Sequence, residues 1–282
     1  MYLIGYDIGS SSIKAALVAV DSGETVGIAQ YPEREMAIQA PQPGWAEQAP
    51  ETWWDYLCRA TQKLIAETEI DARRIQAVGI AYQMHGLVLV DRAGEALRPS
   101  IIWCDSRAVE IGREAFHLLG RERALAHLLN SPGNFTASKL YWVKQNEPEL
   151  FERIHRMMLP GDYIALRLTN QTTTTISGLS EGILWDFKEN DIAEMVLEQY
   201  GVDDSLLPPI VPTFSDQGRV TEAAAKATGL PAGIPVAYRA GDQPNNALSL
   251  NVLEPGEVAA TGGTSGVVYA VTDAALYDPK SR

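Results

Sequence analysis

The chain opens with YLIGYDIGSSSIKAALVAV at residues 2–20, and this stretch decides the fold class. Apolar residues over 2–8 and 13–20 predict two strands joined by a glycine-serine turn, and a third strand is predicted at 25–31. We expect the three strands to be antiparallel. The nearly unbroken apolar character of the first strand predicts that it is buried on both faces.

Alternating strands and helices are predicted along the rest of the chain. Apolar residues at helical spacing over 51–67 predict a helix directly after Pro50. Alternation that follows three strands predicts α/β layering, with a mixed sheet covered by helices on both faces. The other predicted elements are strands at 75–82, 86–90 and 234–239, helices at 106–119, 123–129, 138–146 and 192–200, and a hairpin at 257–271.

The charge and cysteine content exclude several classes of protein. With 23 basic and 36 acidic residues among 282, the net charge is −13, so neither nucleic acid nor an anionic membrane is expected as a partner. Cys58 and Cys104 lie far apart, without the spacing of a metal site. The first residues lack the basic and apolar regions of a signal peptide, so we expect a reducing, cytoplasmic setting.

The first strand ends in a carboxylate followed by a glycine and three serines, Asp7-Ile8-Gly9-Ser10-Ser11-Ser12. A buried carboxylate is unfavourable unless something uses it, so Asp7 predicts a Mg²⁺ site that holds the ion through water. Glycine lets the backbone approach a ligand, and successive N–H and hydroxyl groups can cradle a phosphate. The alternative is a serine-rich turn in which Asp7 caps its own backbone. The sequence contains neither a P-loop nor a Rossmann fingerprint.

The glycine-serine pattern of residues 9–17 recurs at residues 263–271, again between apolar runs. Glycine-serine turns are common in hairpins, which is one explanation of the similarity. The other is that two related hairpins face each other across a cleft. Since a lone hairpin is only marginally stable, the second explanation predicts that this chain is a truncated piece of a longer enzyme.

Gln83-Met84-His85-Gly86 directly follows a predicted strand, where α/β proteins place ligand groups. Gln83 and His85 could exchange hydrogen bonds with a polyol, and Met84 could pack against its carbon face. The alternative is that His85 is a structural histidine with its hydrogen bonds satisfied inside the fold.

Two further motifs carry aspartates, Trp103-Cys104-Asp105-Ser106-Arg107 and Gly241-Asp242-Gln243-Pro244-Asn245. In the first, Asp105 or Ser106 could simply cap the following helix. In the second, a tight glycine turn could present Asp242 to a substrate hydroxyl as a general base, although such turns also occur in loops without a function. Hydroxyl-rich hairpins, a polyol-binding strand end and a carboxylate on a turn together describe phosphoryl transfer to a sugar hydroxyl.

These motifs resemble those of the FGGY family of carbohydrate kinases, and within it the xylulokinases, over essentially the whole chain. Cys104 and Gln243 stand where asparagines are common in that group, and Arg239 stands where small residues are usual. The segments that carry the resemblance are 7–14, 43–48 with 53–54, 83–86, 102–105, 135–142, 159–163, 241–243 and 262–266.

The resemblance implies an actin-like ATPase or ribonuclease H-like fold whose two domains close on ATP and a sugar. Residues 1–252 would form the N-terminal domain with the sugar site and catalytic base, and residues 253–282 would begin a truncated, nucleotide-binding C-terminal domain. Asp242 would be the base. The sugar would contact Gln83, Met84, His85, Trp103, Asp105 and Gln243; Mg-ATP would contact Asp7, which would also hold the metal, with Gly9, Ser10, Ser11, Ser12, Lys14, Gly263, Thr264 and Ser265.

The implied reaction is ATP-dependent phosphorylation of a terminal ketose hydroxyl, foremost D-xylulose to D-xylulose 5-phosphate, with ATP and Mg²⁺. One alternative is a kinase for another pentulose or a polyol, and another is an actin-like ATPase domain that binds no sugar. The expected partners are a small sugar and ATP, with a homodimer allowed. A chain that stops early in its second domain is expected to have little activity alone.

Overall fold

The computed structural model describes residues 1–262 and 266–280. In chain order its strands are Tyr2–Ile8 (β1), Ile13–Ala19 (β2), Thr25–Tyr31 (β3), Glu47–Gln48 (β4), Ile75–Tyr82 (β5), Val88–Val90 (β6), Ser100–Ile101 (β7), Arg156–Met158 (β8), Trp185–Asp186 (β9), Asp191–Ile192 (β10), Val236–Gly241 (β11), Val258–Gly262 (β12) and Gly266–Ala270 (β13).

The largest sheet of the described residues has the strand order β11-β5-β1-β2-β3. The first three strands in sequence pair antiparallel with one another, as predicted, whereas β5 and β11 run parallel to β1. The sheet is therefore mixed, and its parallel half brings the carboxyl ends of β1, β5 and β11 to one edge. Four two-stranded pairs accompany it in the described ranges: β4-β7, β6-β8, β9-β10 and β12-β13.

The central strand β1 is buried mainly on one face. Ile4, Tyr6 and Ile8 are each no more than 3% exposed, but Leu3 on the opposite face is 42% exposed. The expectation that β1 is buried on both faces is therefore wrong. Alternate side chains of a strand point to opposite faces, and the face that carries Leu3 and Asp7 has less protein packed against it.

Helices fill the connections between these strands. Thr221 illustrates how they begin, because its side chain accepts a hydrogen bond from the Ala224 N–H and caps the helix there, while Gly229 ends that helix at a φ of 84°. The helices are Pro50–Thr68 (α1), Val109–Leu119 (α2), Arg121–Leu128 (α3), Thr136–Asn146 (α4), Pro148–Phe151 (α5), Pro160–Thr169 (α6), Ile176–Glu181 (α7), Glu194–Tyr200 (α8), Glu222–Thr228 (α9) and Asp242–Ser249 (α10), with 3₁₀ turns at Ala72–Arg74 and Asp204–Leu206.

Helices lie on both faces of the sheet, as predicted. On one face α1 packs on β2 and β3 and also contacts α6 and α9, which encloses a core that includes Trp53, Leu57 and Leu64. Arg239 of β11 points to that face, where it meets Asp162 of α6. Its neighbours Tyr238 and Ala240 point to the opposite face and line a groove with residues of α10.

A second apolar core lies among the helices that follow β6 and precede β11 in sequence. It joins side chains of α2, α3, α4, α7 and α8 to one side of β6 and β8, with Leu140 and Val196 fully or almost fully buried. This helical layer therefore packs beside the strand end that carries residues 83–86.

Several predicted boundaries differ from the observed ones. The helix predicted at 106–119 begins only at Val109, because residues 105–108 form a turn. The short helices α5, α6, α7 and α9 were not predicted. The expected glycine turn at Gly241-Asp242 is a strand that passes directly into a helix, since α10 begins at Asp242. The predicted hairpin at 257–271 is present as β12 and β13.

Candidate active site

Three strands bring the predicted motifs to one edge of the sheet. Ile8 at the end of β1 pairs with Tyr82 at the end of β5, and Tyr82 pairs in turn with Gly241 at the end of β11. The next residues along these strands, Gly9, Gln83 and Asp242, therefore emerge side by side. This is the carboxyl edge at which α/β sheets bind their ligands.

A cavity of about 340 Å³ lies at this edge. It combines a carboxylate, an imidazole, an amide and an indole around a volume suited to a small polyol. The sequence predicted five of its residues as functional and did not predict Val267 of β13. The lining residues are Met84, His85, Trp103, Asp242, Gln243 and Val267.

Asp242 is partly buried at the first position of α10. Burial raises the pKa of its carboxyl above the ordinary value, and the negative charge of Asp7 raises it further, while hydrogen bonds with Gln243 act in the opposite direction. A carboxylate with a raised pKa that faces a cavity has the properties of a general base.

Met84 reaches the cavity only because residue 241 is a glycine. A Cβ built on Gly241 would lie 2.4 Å from Cγ and 2.8 Å from Sδ of Met84. The Met84 side chain therefore occupies the space beside the strand end that precedes Asp242, which places a thioether next to the candidate base.

His85 adopts a left-handed backbone conformation with φ 62°, which costs a non-glycine residue about 1–2 kcal/mol. Its Nδ1 donates a hydrogen bond to the Glu181 carbonyl oxygen at 3.0 Å, and its ring packs edge-on against Phe135 at 4.6 Å. Burial lowers the pKa of His85 to about 4. The ring is therefore neutral at neutral pH, which leaves Nε2 as a hydrogen-bond acceptor.

Trp103 connects the cavity to the glycine-serine turn. Its indole is 53% exposed, and its Nε1–H donates to Ser10 Oγ at 3.2 Å. The Ser10 carbonyl oxygen in turn accepts a hydrogen bond from Gln48 at 2.7 Å. Because the Trp103 ring lines the cavity and is hydrogen-bonded to the turn at residues 9–12, it can form a wall between the candidate sugar site and the candidate phosphate site.

The turn itself is tight and partly exposed. Gly9 donates to the Ser12 carbonyl oxygen at 3.2 Å, and a Cβ on Gly9 would lie 3.0 Å from that oxygen. Ser12 is buried, whereas Ser11 is exposed and Ser10 is half-buried. Of the three predicted phosphate hydroxyls, Ser10 and Ser11 thus retain contact with solvent.

Asp7 and Lys14 face each other across β1 and β2 next to this turn. Their side chains are 40% and 50% exposed, and Lys14 Nζ lies 3.1 Å from Asp7 Oδ2. The parts of the chain that the structure describes contain no group of three or more histidine, cysteine or acidic side chains that could hold a metal. A lone carboxylate fits Mg²⁺ that keeps water and phosphate oxygens as its other ligands.

The second predicted phosphate motif lies between β12 and β13 in sequence. Gly263, Thr264 and Ser265 lie outside the described residues. The strands that flank them pair from Val258 to Ala270 and bring Val267 to the cavity.

Asp105 does not lie in the cavity. It is fully buried and accepts hydrogen bonds from the Ala46 N–H at 2.6 Å and from the backbone and guanidinium of Arg107 at 2.7–3.0 Å. The expectation that it contacts a sugar directly is corrected by this placement, because both of its oxygens are occupied by protein groups. It is also not a helix cap, since Ala108 occupies that position of α2.

Arg239, the departure from the family pattern beside Asp242, also lies away from the cavity. Its fully buried guanidinium binds Asp162 Oδ1 at 2.8 Å, Gln217 Oε1 at 3.0 Å and the Thr173 carbonyl oxygen at 2.7 Å. Because it faces the core on the other side of β11, it contributes to stability there and does not shape the cavity.

Two buried polar side chains lie close behind the cavity. Gln83 is 3% exposed, and its side-chain amide has no hydrogen-bond partner among the described residues. Glu181 is also buried; its Oε2 would lie 3.1 Å from a Cβ on Gly241, and its carboxyl interacts with the Tyr82 hydroxyl. Sequence analysis predicted Gln83 as a sugar contact but missed Glu181, because a single acid in the unpredicted helix α7 gives no periodic signal.

Residues 2–249 match the FGGY family of carbohydrate kinases, N-terminal domain. The chain belongs to this family. Among its relatives, the xylulose kinase of Escherichia coli strain K12 is 33% identical over 279 residues, which cover 99% of this chain and 56% of that protein. The xylulose kinase of Streptomyces rubiginosus is 34% identical, over 98% of this chain and 56% of that protein.

Solved structures of similar proteins confirm the predicted fold class. The crystal structure of the xylulose kinase from Rhodospirillum rubrum matches with a TM-score of 0.91 and 30% identity over 99% of this chain and 57% of that chain. That from Brucella ovis matches with a TM-score of 0.90 and 32% identity over 100% of this chain and 57% of that chain. The fold is the actin-like ATPase fold of sugar kinases.

This chain spans little more than half the length of those relatives. In the described ranges, no helix has both the length and the apolar character needed to cross a membrane.

Proposed function

We propose that the protein phosphorylates a terminal hydroxyl of a ketose at the expense of ATP, with Asp242 as the general base. The observation that carries the proposal is the cavity at the sheet edge, which Asp242 lines together with Met84, His85 and Trp103. A carboxylate beside a neutral imidazole and an indole is a suitable arrangement for binding an alcohol and removing its proton.

Each side chain has a distinct part in the proposed reaction. Asp242 accepts the proton of the attacking hydroxyl, and base catalysis of this kind contributes roughly 10²–10⁴-fold to the rate. His85 keeps a free Nε2 to accept a hydrogen bond from a second hydroxyl, because its Nδ1–H is committed to Glu181. Trp103 and Met84 cover the carbon face of the sugar, and together these contacts fix the direction of attack.

The residues around β1 suit the second substrate. ATP supplies the phosphoryl group, and Mg²⁺ neutralises charge on its phosphates when bound. Asp7 would hold the ion through water, and Lys14 and the turn at residues 9–12 would face the phosphates. We propose the same role for Gly263, Thr264 and Ser265, which resemble that turn in sequence.

The domain organisation and cellular setting are part of the proposal. Residues 1–252 would form the sugar-binding domain, and 253–282 would begin the nucleotide-binding one. Both cysteines are free thiols, with Cys58 buried and Cys104 exposed, which supports a reducing, cytoplasmic setting. D-Xylulose is the proposed ketose because the relatives most similar in sequence include xylulose kinases.

Calorimetric titration with D-xylulose, D-ribulose, glycerol and gluconate tests the sugar site on this chain itself. We expect D-xylulose to bind most tightly. His85→Asn should weaken that binding, whereas His117→Asn, which changes an exposed histidine of α2, should leave it unchanged.

A coupled assay of ADP release distinguishes the kinase from the ATPase alternative. The proposal requires ADP release that depends on ketose in a full-length enzyme with a complete nucleotide-binding domain, because this chain alone is expected to have little activity. ADP release at the same rate with and without ketose, in a protein that binds none of the four compounds, would instead identify an ATPase domain without a sugar substrate.

A further inference from the structure

Lys139 of α4 is a lysine without any exposed surface. Its ammonium nitrogen donates to the His85 carbonyl oxygen at 2.7 Å and to the Ile102 carbonyl oxygen at 3.1 Å. Among the described residues no carboxylate oxygen lies within ion-pair distance of it. Buried lysines are rare and are normally paired with an acid, so an ammonium held by two backbone carbonyls requires an explanation.

The two carbonyls belong to the two turns that carry the aromatic groups of the cavity. His85 itself belongs to one turn, and Ile102 directly precedes Trp103 in the other. A single ammonium group therefore fixes the spacing between the His85 and Trp103 backbones. Charge-assisted hydrogen bonds of this kind are stronger and more directional than neutral ones.

The segment around Lys139 makes two further contacts with the first turn. Phe135 packs edge-on against the His85 ring, and Thr136 Oγ1 donates to the Gly86 carbonyl oxygen at 3.4 Å. The left-handed backbone at His85 is thus held from three positions of one short segment. Burial lowers the pKa of Lys139 to about 8, while Asp105 acts to raise it, so the ammonium form still predominates at neutral pH.

We propose that Lys139 is a positioning residue for sugar recognition, which acts through His85 and Trp103 without touching the substrate. The inference rests on the proposed function for its meaning in catalysis, but the conformation of His85 can be measured independently of any sugar. Loss of the ammonium should let the two turns move apart and release His85 from its orientation toward Glu181.

Lys139→Met tests the proposal, with Lys144→Met as its matched control. Lys144 lies on the same helix and also donates to two backbone carbonyls, those of Tyr200 and Gly201, but these are remote from the cavity. We expect Lys139→Met to weaken D-xylulose binding about tenfold or more, because a displacement of about 1 Å at a binding group has large effects. Lys144→Met should lower the melting temperature without weakening that binding.

A ¹⁵N NMR measurement of the His85 ring gives a second result that does not depend on substrate. In the wild type the Nδ1–H tautomer should dominate, because Nδ1 donates to the Glu181 carbonyl. Its signals are assigned by their absence in His85→Asn. Lys139→Met should reduce that tautomer, and Lys144→Met should not.

Each outcome decides the question. If Lys139→Met keeps both the tautomer and the ketose affinity while losing as much stability as Lys144→Met, Lys139 has only a structural role and the proposal is overturned. If the wild type binds no ketose, the proposed function fails, and the histidine spectrum alone decides: an altered tautomer supports the positioning of His85, and an unaltered one overturns it.

Discussion

Asp105 lies in a turn and Asp242 lies where a strand passes into a helix, and the two carboxylates differ in burial and in hydrogen bonding. In the turn at residues 102–107, Asp105 is fully buried, and both oxygens accept hydrogen bonds from backbone and guanidinium groups. In the strand end at residues 239–243, Asp242 is only partly buried and faces the cavity.

The difference teaches how to distinguish a carboxylate that supports the surrounding chain from one that is a candidate base. A carboxylate has about four sites for hydrogen bonds, and when protein groups fill them it stabilises the surrounding chain. Asp105 holds the turn that carries Trp103 in this way. Asp242 lines the cavity, and burial raises the pKa of its carboxyl, which is the property expected of the proposed base.

The largest effect is expected from Asp242→Asn. Asparagine keeps the shape of the side chain but cannot accept the proton. In a full-length enzyme with a complete nucleotide-binding domain, phosphorylation of D-xylulose should therefore fall by about 10²–10⁴-fold with little change in sugar affinity. Steady-state rates and calorimetry on the same preparations measure the two quantities.

Glu222→Gln is the matched control, because Glu222 is also the acidic first residue of a helix but is exposed and remote from the cavity. It should leave the rate unchanged. Normal turnover of Asp242→Asn would show that Asp242 is not the base. Asp242 and Asp105 would then differ only in how deeply they are buried.

Arg107→Met should have the largest effect on stability. Arg107 and Asp105 are 1% and 0% exposed and 2.7 Å apart, and Arg107 also binds Glu47 at 2.7 Å. Without the guanidinium, the buried carboxylates lose an ion-pair partner. Such a loss typically lowers the free energy of unfolding by about 3–5 kcal/mol. Urea unfolding measures the change.

Arg113→Met is the control, since Arg113 pairs with Glu110 on the surface and such pairs contribute about 0–1 kcal/mol. Similar losses of stability in the two variants would show that the ion pair of Arg107 with Asp105 stabilises the fold no more than a surface ion pair does.

The strands of the sheet could be predicted from sequence to the residue in places. The bounds of β1 at Tyr2–Ile8 and of β5 at Ile75–Tyr82 are those predicted, because each is a short run of mainly apolar residues that ends at glycine or polar residues. The family motifs likewise predicted five residues of the cavity.

The state of individual polar residues could not be predicted in this way. Asp105 and Asp242 are both aspartates that follow strands in sequence. They differ because the Arg107 guanidinium folds back onto Asp105, whereas Asp242 lines the cavity. Arg239 finds its partner Asp162 at a separation of 77 residues, and such pairings depend on the packed fold. Glu181 is buried by the arrangement of α7 against β11, which no local pattern specifies.

Gly241→Ala should have a moderate effect on sugar affinity, and it tests the contribution of the cavity apart from that of the sheet. A Cβ there would collide with Cγ and Sδ of Met84, so Met84 must move and sugar affinity should fall about tenfold. Gly5→Ala is the control, because a Cβ at that strand position would have no atom within 4 Å. Equal ketose affinity in both variants would show that Met84 does not contact the sugar.

The smallest expected effect is on the pH dependence of the melting temperature, compared between the wild type and Asp242→Asn. Because the folded protein raises the pKa of Asp242 above its unfolded value, the protonated form favours folding, and that contribution is lost as the pH rises through the folded pKa. Asp242→Asn cannot ionise, so it should become more stable than the wild type as the pH rises toward 7, and the two melting curves should converge near pH 4.

Because Asp242 is partly exposed, solvent screens its charge and the difference in melting temperature should be small. A difference that is independent of pH, or that favours the wild type at pH 7, would mean that Asp242 is stabilised by its surroundings as Asp105 is. A difference that grows with pH would show instead that the fold pays a small penalty to keep this one carboxylate ready for a ligand, as expected for a residue retained for function.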